Sequence, residues 1–410
     1  MTAKEPQTLR RGLRLGGRAL LVTAAYVAAA VVILGTVFAL RGLVSPGVLK
    51  SFLAFVLVAS LSAGLEPGTV KAAALTEAGI GATPQTVFLA AGLLKALIAA
   101  PILTLLWAFA DPSAAPSALA LTPAIAFAGF GATDLRVLFD LEGRYAAAIG
   151  LKQGSLAGGI ALGGACLAMG LPLAAALAIS TLARLLLLAL VLGRPVAAAR
   201  GPWRQAAAQL ANRRWLDLAA VSVVAAVGGS ADRVIGLRWL TAADYAGYYL
   251  VFELLSKFWL IPYVLAPILF ARQAAGHDAR GFVRGAWLLT ALAGAVFLTV
   301  VAAILTVSPA APAQWLAAPF GWAIWLFAAA VTVNGFAQLR LSQLQGEGRG
   351  RRATVGAIAG AAVGTALFYA GARWFGAPGL LGAWLVKSAL ELILLSDPPG
   401  GSRGAARVRP

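Results

Sequence analysis

Five basic side chains lie in stretches of sequence that are otherwise apolar: Lys95, Arg184, Arg233, Lys257 and Lys387. A cation in such a place is costly unless it meets a carboxylate, water or an anionic ligand, so these residues are the first candidates for chemistry. Glu253 with Lys257, and Lys387 with Glu391, are four residues apart, the spacing that puts two side chains on one helical face. Asp232 adjoins Arg233, but sequence neighbours on a helix do not face each other, so this is not a local pair. Lys95 and Arg184 have no acid within helical reach. Around one cavity, Arg233, Arg184, Lys95, Lys257 and Lys387, with Asp232, would form a net-positive lining suited to phosphate or pyrophosphate. Arginine binds such groups bidentately and does not shed its charge. The other use open to these residues is structural, as salt bridges and as long side chains that snorkel to the interface.

Other chemistry is absent. The single His277 sits in Gly276-His277-Asp278-Ala279-Arg280 without a nearby Cys, nucleophilic Ser or second His, and reads as a solvated loop residue. One cysteine, Cys166 in a Gly-Ala run, excludes a disulfide framework, an iron–sulfur site and a thiolate zinc cluster. No G-x-x-x-x-G-K-[ST] segment is present, so the chain has no phosphate-binding loop of an ATPase. The stretch Gly346-Glu347-Gly348-Arg349-Gly350-Arg351-Arg352 is phosphate-friendly in composition but reads as a basic loop between spans. No cofactor or metal is expected.

The elements that must position the buried cations follow from composition. Of 410 residues, 60% are hydrophobic and only 12% charged, with a mean hydropathy of +0.86. Soluble domains are about 25% charged, and the polar alternation of an outer-membrane barrel would lower the hydropathy. The class that remains is an all-α polytopic membrane protein. Twelve apolar runs of membrane-crossing length emerge, at about 19–40, 48–66, 86–110, 118–139, 145–169, 171–193, 216–238, 245–270, 283–307, 316–339, 353–372 and 377–395. With the N-terminus in the cytoplasm, the inside segments hold 24 Lys and Arg. The outside loops hold four: Arg41, Lys50, Arg238 and Arg373. That split predicts both termini inside. It also removes nucleic acid as a partner, because the net charge of +18 is spread over seven cytoplasmic segments rather than gathered on one face. Arg10, Arg14 and Arg18 suggest a short amphipathic segment on the inner leaflet, or plain positive-inside anchoring.

The two halves repeat. Gly150, Gly154 and Gly158 recur as Gly356, Gly360 and Gly364, and Gly170 with Pro172 recurs as Gly376 with Pro378, always 206 residues apart. Six spans per half is an even number, so the repeat is parallel, related by an axis along the membrane normal. Glycines four apart give a smooth ridge for helix packing. The expected organisation is an N-terminal six-helix lobe at 1–193, a basic cytoplasmic linker at 194–215, a C-terminal six-helix lobe at 216–396 and a cytoplasmic tail at 397–410.

The stretch Gly229-Ser230-Ala231-Asp232-Arg233-Val234-Ile235-Gly236, followed by Leu240-Thr241-Ala242-Ala243-Asp244-Tyr245-Ala246-Gly247-Tyr248-Tyr249, resembles the start of the second half of polysaccharide flippases. Gly376-Ala377-Pro378-Gly379 running into Gly382-Ala383 is similar to their last helix, and Gly143-Arg144-Tyr145 to the loop before their fifth. These proteins share a superfamily with multidrug and toxin extruders and the lipid II flippase. The resemblance implies two six-helix lobes in a V that move a polyprenyl-pyrophosphate-linked oligosaccharide across the cytoplasmic membrane by alternating access. It implies a lipid-linked glycan as substrate, membrane lipid around it, and a polysaccharide polymerase or glycosyltransferases as protein partners. Tyr245, Tyr248, Tyr249, Trp239 and Trp259 would then stack on sugar rings or form an interfacial belt. The nearest alternative is a cation-coupled multidrug exporter of the same architecture, although the run 19–40 has no charged residue to bind the coupling ion. A membrane glycosyltransferase or polymerase would need a catalytic acid or base on a sizeable outer loop, and these loops are short and nearly charge-free.

Overall fold

The structure is a computed structural model that describes residues 5–64, 84–141, 150–198, 224–262 apart from 225, 280–316, 318–347 and 349–396, with a few single positions between 264 and 269. The described secondary structure is helical. In the first half, α1 runs Glu5–Leu43, α2 Pro46–Gly64, α3 Pro84–Ala110 and α4 Ala115–Leu141. A π turn, Gly150–Gly154, leads into α5 at Ser155–Ala168, and α6 spans Leu173–Ala198. In the second half, α7 is Ala231–Trp239 and α8 Ala242–Leu255, extended by a 3-10 turn at Ser256–Trp259. Next come α9 at Arg280–Val307, the short α10 at Ala311–Leu316 and α11 at Ala323–Gly346. The last element, α12, covers Gly350–Leu395 in two arms that meet at Gly376. Six of these helices are long and apolar enough to cross a membrane, and the chain is a multi-pass membrane protein.

Eleven of the twelve expected runs fall on described helices close to their expected positions, although parts of the runs at 48–66, 145–169, 216–238 and 245–270 lie outside the described residues. The run expected at 316–339 instead forms α11 at Ala323–Gly346. Gly321 has φ of +52°, and with Pro312 and Pro319 close by, the chain turns before the helix starts. Arg340, expected in a loop, is consequently helical and buried, and its Nε donates to the Leu395 carbonyl at 3.2 Å. Lys152, inside the expected run at 145–169, sits in the π turn and is buried. The basic segment around Arg10 continues as one helix with the first span. The linker beyond Ala198 and the tail from 397 lie outside the described residues.

The repeat has a structural counterpart at its turns. Gly170, with φ of +84°, joins α5 to α6, and Gly376, with φ of +66°, joins the arms of α12. Only glycine adopts such angles without strain. At the first turn the Leu171 amide donates to the Cys166 carbonyl at 3.0 Å, the six-to-one bond of a Schellman cap.

Behind each turn, glycines admit the side chains of the returning helix. A Cβ added at Gly159 would sit 2.6 Å from Arg184 Cγ, and one at Gly163 would sit 3.0 Å from Ser180 Cβ. In the second lobe, Gly356, Gly360 and Gly364 meet Leu395, Glu391 and Lys387 in the same antiparallel sense. The expected ridge of Gly154 and Gly158 meets nothing within 4 Å. The π turn explains this, since one extra residue rotates the helix beyond it by about 100° and presents the next glycine to α6.

The lobes meet on α8, which packs against α1 and α2 of the first lobe as well as α7, α10, α11 and α12 of its own. One continuous core of Phe52, Phe55, Trp107, Tyr248, Phe327 and Trp384 among others runs through this junction. Tyr245, Tyr248 and Tyr249 belong to it and are essentially unexposed, so they neither face sugars nor form an interfacial belt. The exposed aromatics at this end include Trp315, Trp322, Trp374 and Phe375.

Candidate functional site

A cavity of about 250 Å3 opens between the end of α2, which contributes Ser60 and Leu61, and the second lobe. Its polar lining is Ser230, Arg233, Asn334, Gln338, Lys387 and Glu391, with Trp259 and Trp384 as aromatic walls.

Arg233 owes its position to a break in the seventh run. A turn at Gly229 and Ser230 interrupts the helix before α7 starts at Ala231. The Arg233 side chain folds back onto that turn, where Nη2 donates to Ser230 Oγ at 2.6 Å and to the freed Gly229 carbonyl at 3.3 Å. Its guanidinium lies 4.7 Å from the Phe252 ring centroid, a cation–π contact. Asp232 is fully buried one residue away, and Oδ2 accepts from Tyr248 Oη and from Trp384 Nε1. Its Oδ1 lies 3.9 Å from Arg233 Nε. That is close enough to attract, but neither atom has a hydrogen-bond partner. The adjacent pair is therefore a loose electrostatic contact rather than a closed bridge.

Lys387 and Glu391 form the other charged wall. Lys387 Nζ is 2.7 Å from Glu391 Oε1 and 4.7 Å from the Trp384 ring centroid. Asn334 Nδ2 donates to Glu391 Oε2 at 3.1 Å, tying α11 to the second arm of α12. Glu253 and Lys257 pair at 2.6 Å, as their spacing requires, but neither is among the residues lining the cavity.

Arg184 lies apart from this group. It is 2% exposed between α5 and α6, and its Nε and Nη1 have no hydrogen-bond partner. Lys95 falls on α3, and its side chain lies outside the described residues. The structure thus brings Arg233, Asp232 and Lys387 together and leaves Arg184 and Lys257 elsewhere. Asn334 and Gln338 carry no charge, so a search for buried charges does not find them. Two amides four residues apart inside an apolar run were the available signal.

Compared with known proteins, the chain matches no described sequence family and no curated protein sequence. Solved structures do match. The lipid II flippase MurJ in an inward closed conformation aligns with a TM-score of 0.67 at 12% identity, covering 92% of this chain and 86% of that one. A eukaryotic MATE transporter aligns with a TM-score of 0.56 at 15% identity, covering 93% and 95%. A MATE protein in the straight conformation aligns at 0.52 and 16%, covering 91% and 94%. At such identities the likeness is one of architecture, and over nearly its whole length the chain has the all-helical fold shared by the lipid II flippase and the MATE transporters.

Proposed function

We propose that the protein is a flippase that carries a polyprenyl-pyrophosphate-linked oligosaccharide across the cytoplasmic membrane by alternating access, for polysaccharide export. The observation that carries this reading is Arg233, a permanently charged fork on the wall of an interlobe cavity, with Nε unpartnered and Lys387 on the same wall. The cavity's size suits a pyrophosphate and the first sugar. The rest of the glycan would extend toward the open end, and the polyprenyl tail would stay in lipid between the lobes. Arg184 and Lys95 would supply the first lobe's positive charge, and Lys257 that of the second outside the cavity. With both termini in the cytoplasm, the cavity faces inward, because Ser60, Leu341, Gly356 and Leu395 all belong to inner halves of their runs.

A cation-coupled multidrug exporter is the second reading. It is favoured by the MATE likeness and by a carboxylate, Glu391, beside two tryptophans in the cavity. Proteoliposomes decide between them. Radiolabelled lipid-linked oligosaccharide should cross in vesicles holding the native chain, should fail to cross with Arg233→Ala, and should cross slowly with Arg233→Lys, which keeps the charge but loses the fork. Efflux of a cationic dye without movement of the lipid-linked sugar would overturn the proposal.

A further inference from the structure

Resting on that reading, we infer that Glu391 is the cavity's resident counterion: in the empty protein its carboxylate occupies Lys387, and a substrate phosphate must displace it to reach that cation.

Asp232 and Glu391 are held differently. Asp232 is fully buried, accepts from Tyr248 and Trp384, and does not line the cavity. It cannot leave without unpacking the core. Glu391 lies on the cavity wall with its side chain 14% exposed. Among the described residues its one neutral tether is the Asn334 amide. One carboxylate is fixed; the other has a longer chain and a free side to move into.

Charge gives the exchange a purpose. Among the described residues Arg233 and Lys387 are balanced by the buried Asp232 and by Glu391, so while Glu391 holds Lys387 only the Arg233 fork is open to an anion. Displacing Glu391 frees Lys387 to offer three donors to a phosphate. The return of Glu391 to Lys387 then competes the phosphate away, which a carrier needs if it is to release its cargo. The direction of movement is constrained. The stems of Glu391 and Lys387 lie tight against Gly360 and Gly364 on the first arm of α12, where an added Cβ would overlap them, so the carboxylate can swing only toward the cavity.

The test uses the full chain in phosphatidylcholine nanodiscs, titrated with farnesyl pyrophosphate. Glu391→Gln keeps the shape and an acceptor for Asn334 but gives up the charge, and it should bind the probe about ten-fold more tightly. The double variant Glu391→Gln with Lys387→Gln should lose that gain. Asn334→Ala, which removes only the tether, should also tighten binding, and it serves if Glu391→Gln does not insert. Arg233→Ala should weaken binding whatever stands at position 391. Unchanged or weaker binding by Glu391→Gln or Asn334→Ala, with Arg233→Ala still weakened, overturns the counterion role and leaves the anionic-substrate reading in place. Binding insensitive to Arg233→Ala as well overturns the reading itself.

Discussion

Lys50 should control how readily the lobes part at the end opposite the cavity. Its Nζ donates at 2.8 Å to the carbonyl of Leu240, at the turn between α7 and α8 of the other lobe. Two further cationic contacts join the lobes there, from Arg41 Nη1 to the Trp315 carbonyl at 3.3 Å and from the Arg238 guanidinium to the Phe109 ring at 5.9 Å. These three cations are among the four that the sequence places outside, and each meets a neutral acceptor of the other lobe. Magnitudes single out Lys50. A hydrogen bond from a charged donor contributes about 1.5–3 kcal/mol, and the half-buried setting of Lys50 favours the lower figure. The exposed, longer Arg41 contact contributes a few tenths, and a cation–π contact at 5.9 Å at most about 0.5 kcal/mol. Lys50→Met should therefore shift the closed-to-open ratio at this end about ten-fold. Spin labels at Leu43→Cys and Ser308→Cys, exposed positions in different lobes, would report it by pulsed electron resonance once buried Cys166 is replaced by Ala. The expected result is a second, longer distance population in Lys50→Met. A distribution unchanged from the native one would refute the assignment of this contact as the closing force.

Gly159→Ala should lower the melting temperature of the purified protein by the equivalent of about 1–3 kcal/mol, because its Cβ would meet the buried stem of Arg184. Gly158→Ala, one residue earlier and with nothing within 4 Å, should leave the melt unchanged, and the reverse order would refute the packing register. Arg184→Met should raise the melting temperature, since it removes a buried cation whose Nε and Nη1 have no partner and keeps most of the volume. A fall would show that the guanidinium has a partner in the membrane. Tyr248→Phe should cost about 1–3 kcal/mol in the same melt by taking one of two donors from the buried Asp232 carboxylate. A neutral result would mean that water fills the vacancy.

Much of the fold is legible in the sequence because a membrane protein writes its plan in composition. Apolar runs of crossing length mark the helices, and glycine with proline at a fixed interval marks the matching turns at Gly170 and Gly376. Local pairs are legible for the same reason, since a four-residue spacing fixes geometry before any tertiary contact forms, and Glu253–Lys257 and Lys387–Glu391 both close as expected. What failed depended on facing. Nothing in Tyr245, Tyr248 and Tyr249 says that α8 is surrounded by six helices rather than exposed at an interface. Nothing in a row of glycines announces the π turn that rotates α5. The Arg233 side chain meets Ser230 and Gly229 at helical spacing, but the Gly229 carbonyl is free to accept only because the helix breaks there, and nothing in the spacing announces that break.

The two lobes also show where a repeat stops being informative. Both pack a glycine pair against two side chains four apart on the returning helix: Gly159 and Gly163 against Arg184 and Ser180, Gly360 and Gly364 against Glu391 and Lys387. In the second lobe that strip carries a matched cation and carboxylate, and it opens onto the cavity. In the first it carries the Arg184 guanidinium, closed between α5 and α6 with Nε and Nη1 unpartnered. Backbone symmetry is thus kept where packing demands it, at glycines and turns, while the charges placed on that shared frame differ. If the proposed function holds, the substrate meets a single binding wall. If both strips had held exchangeable ion pairs, an anionic substrate would meet equivalent stations on either side. On the proposed function, alternating motion of the lobes would carry the substrate past this fixed wall in the second lobe.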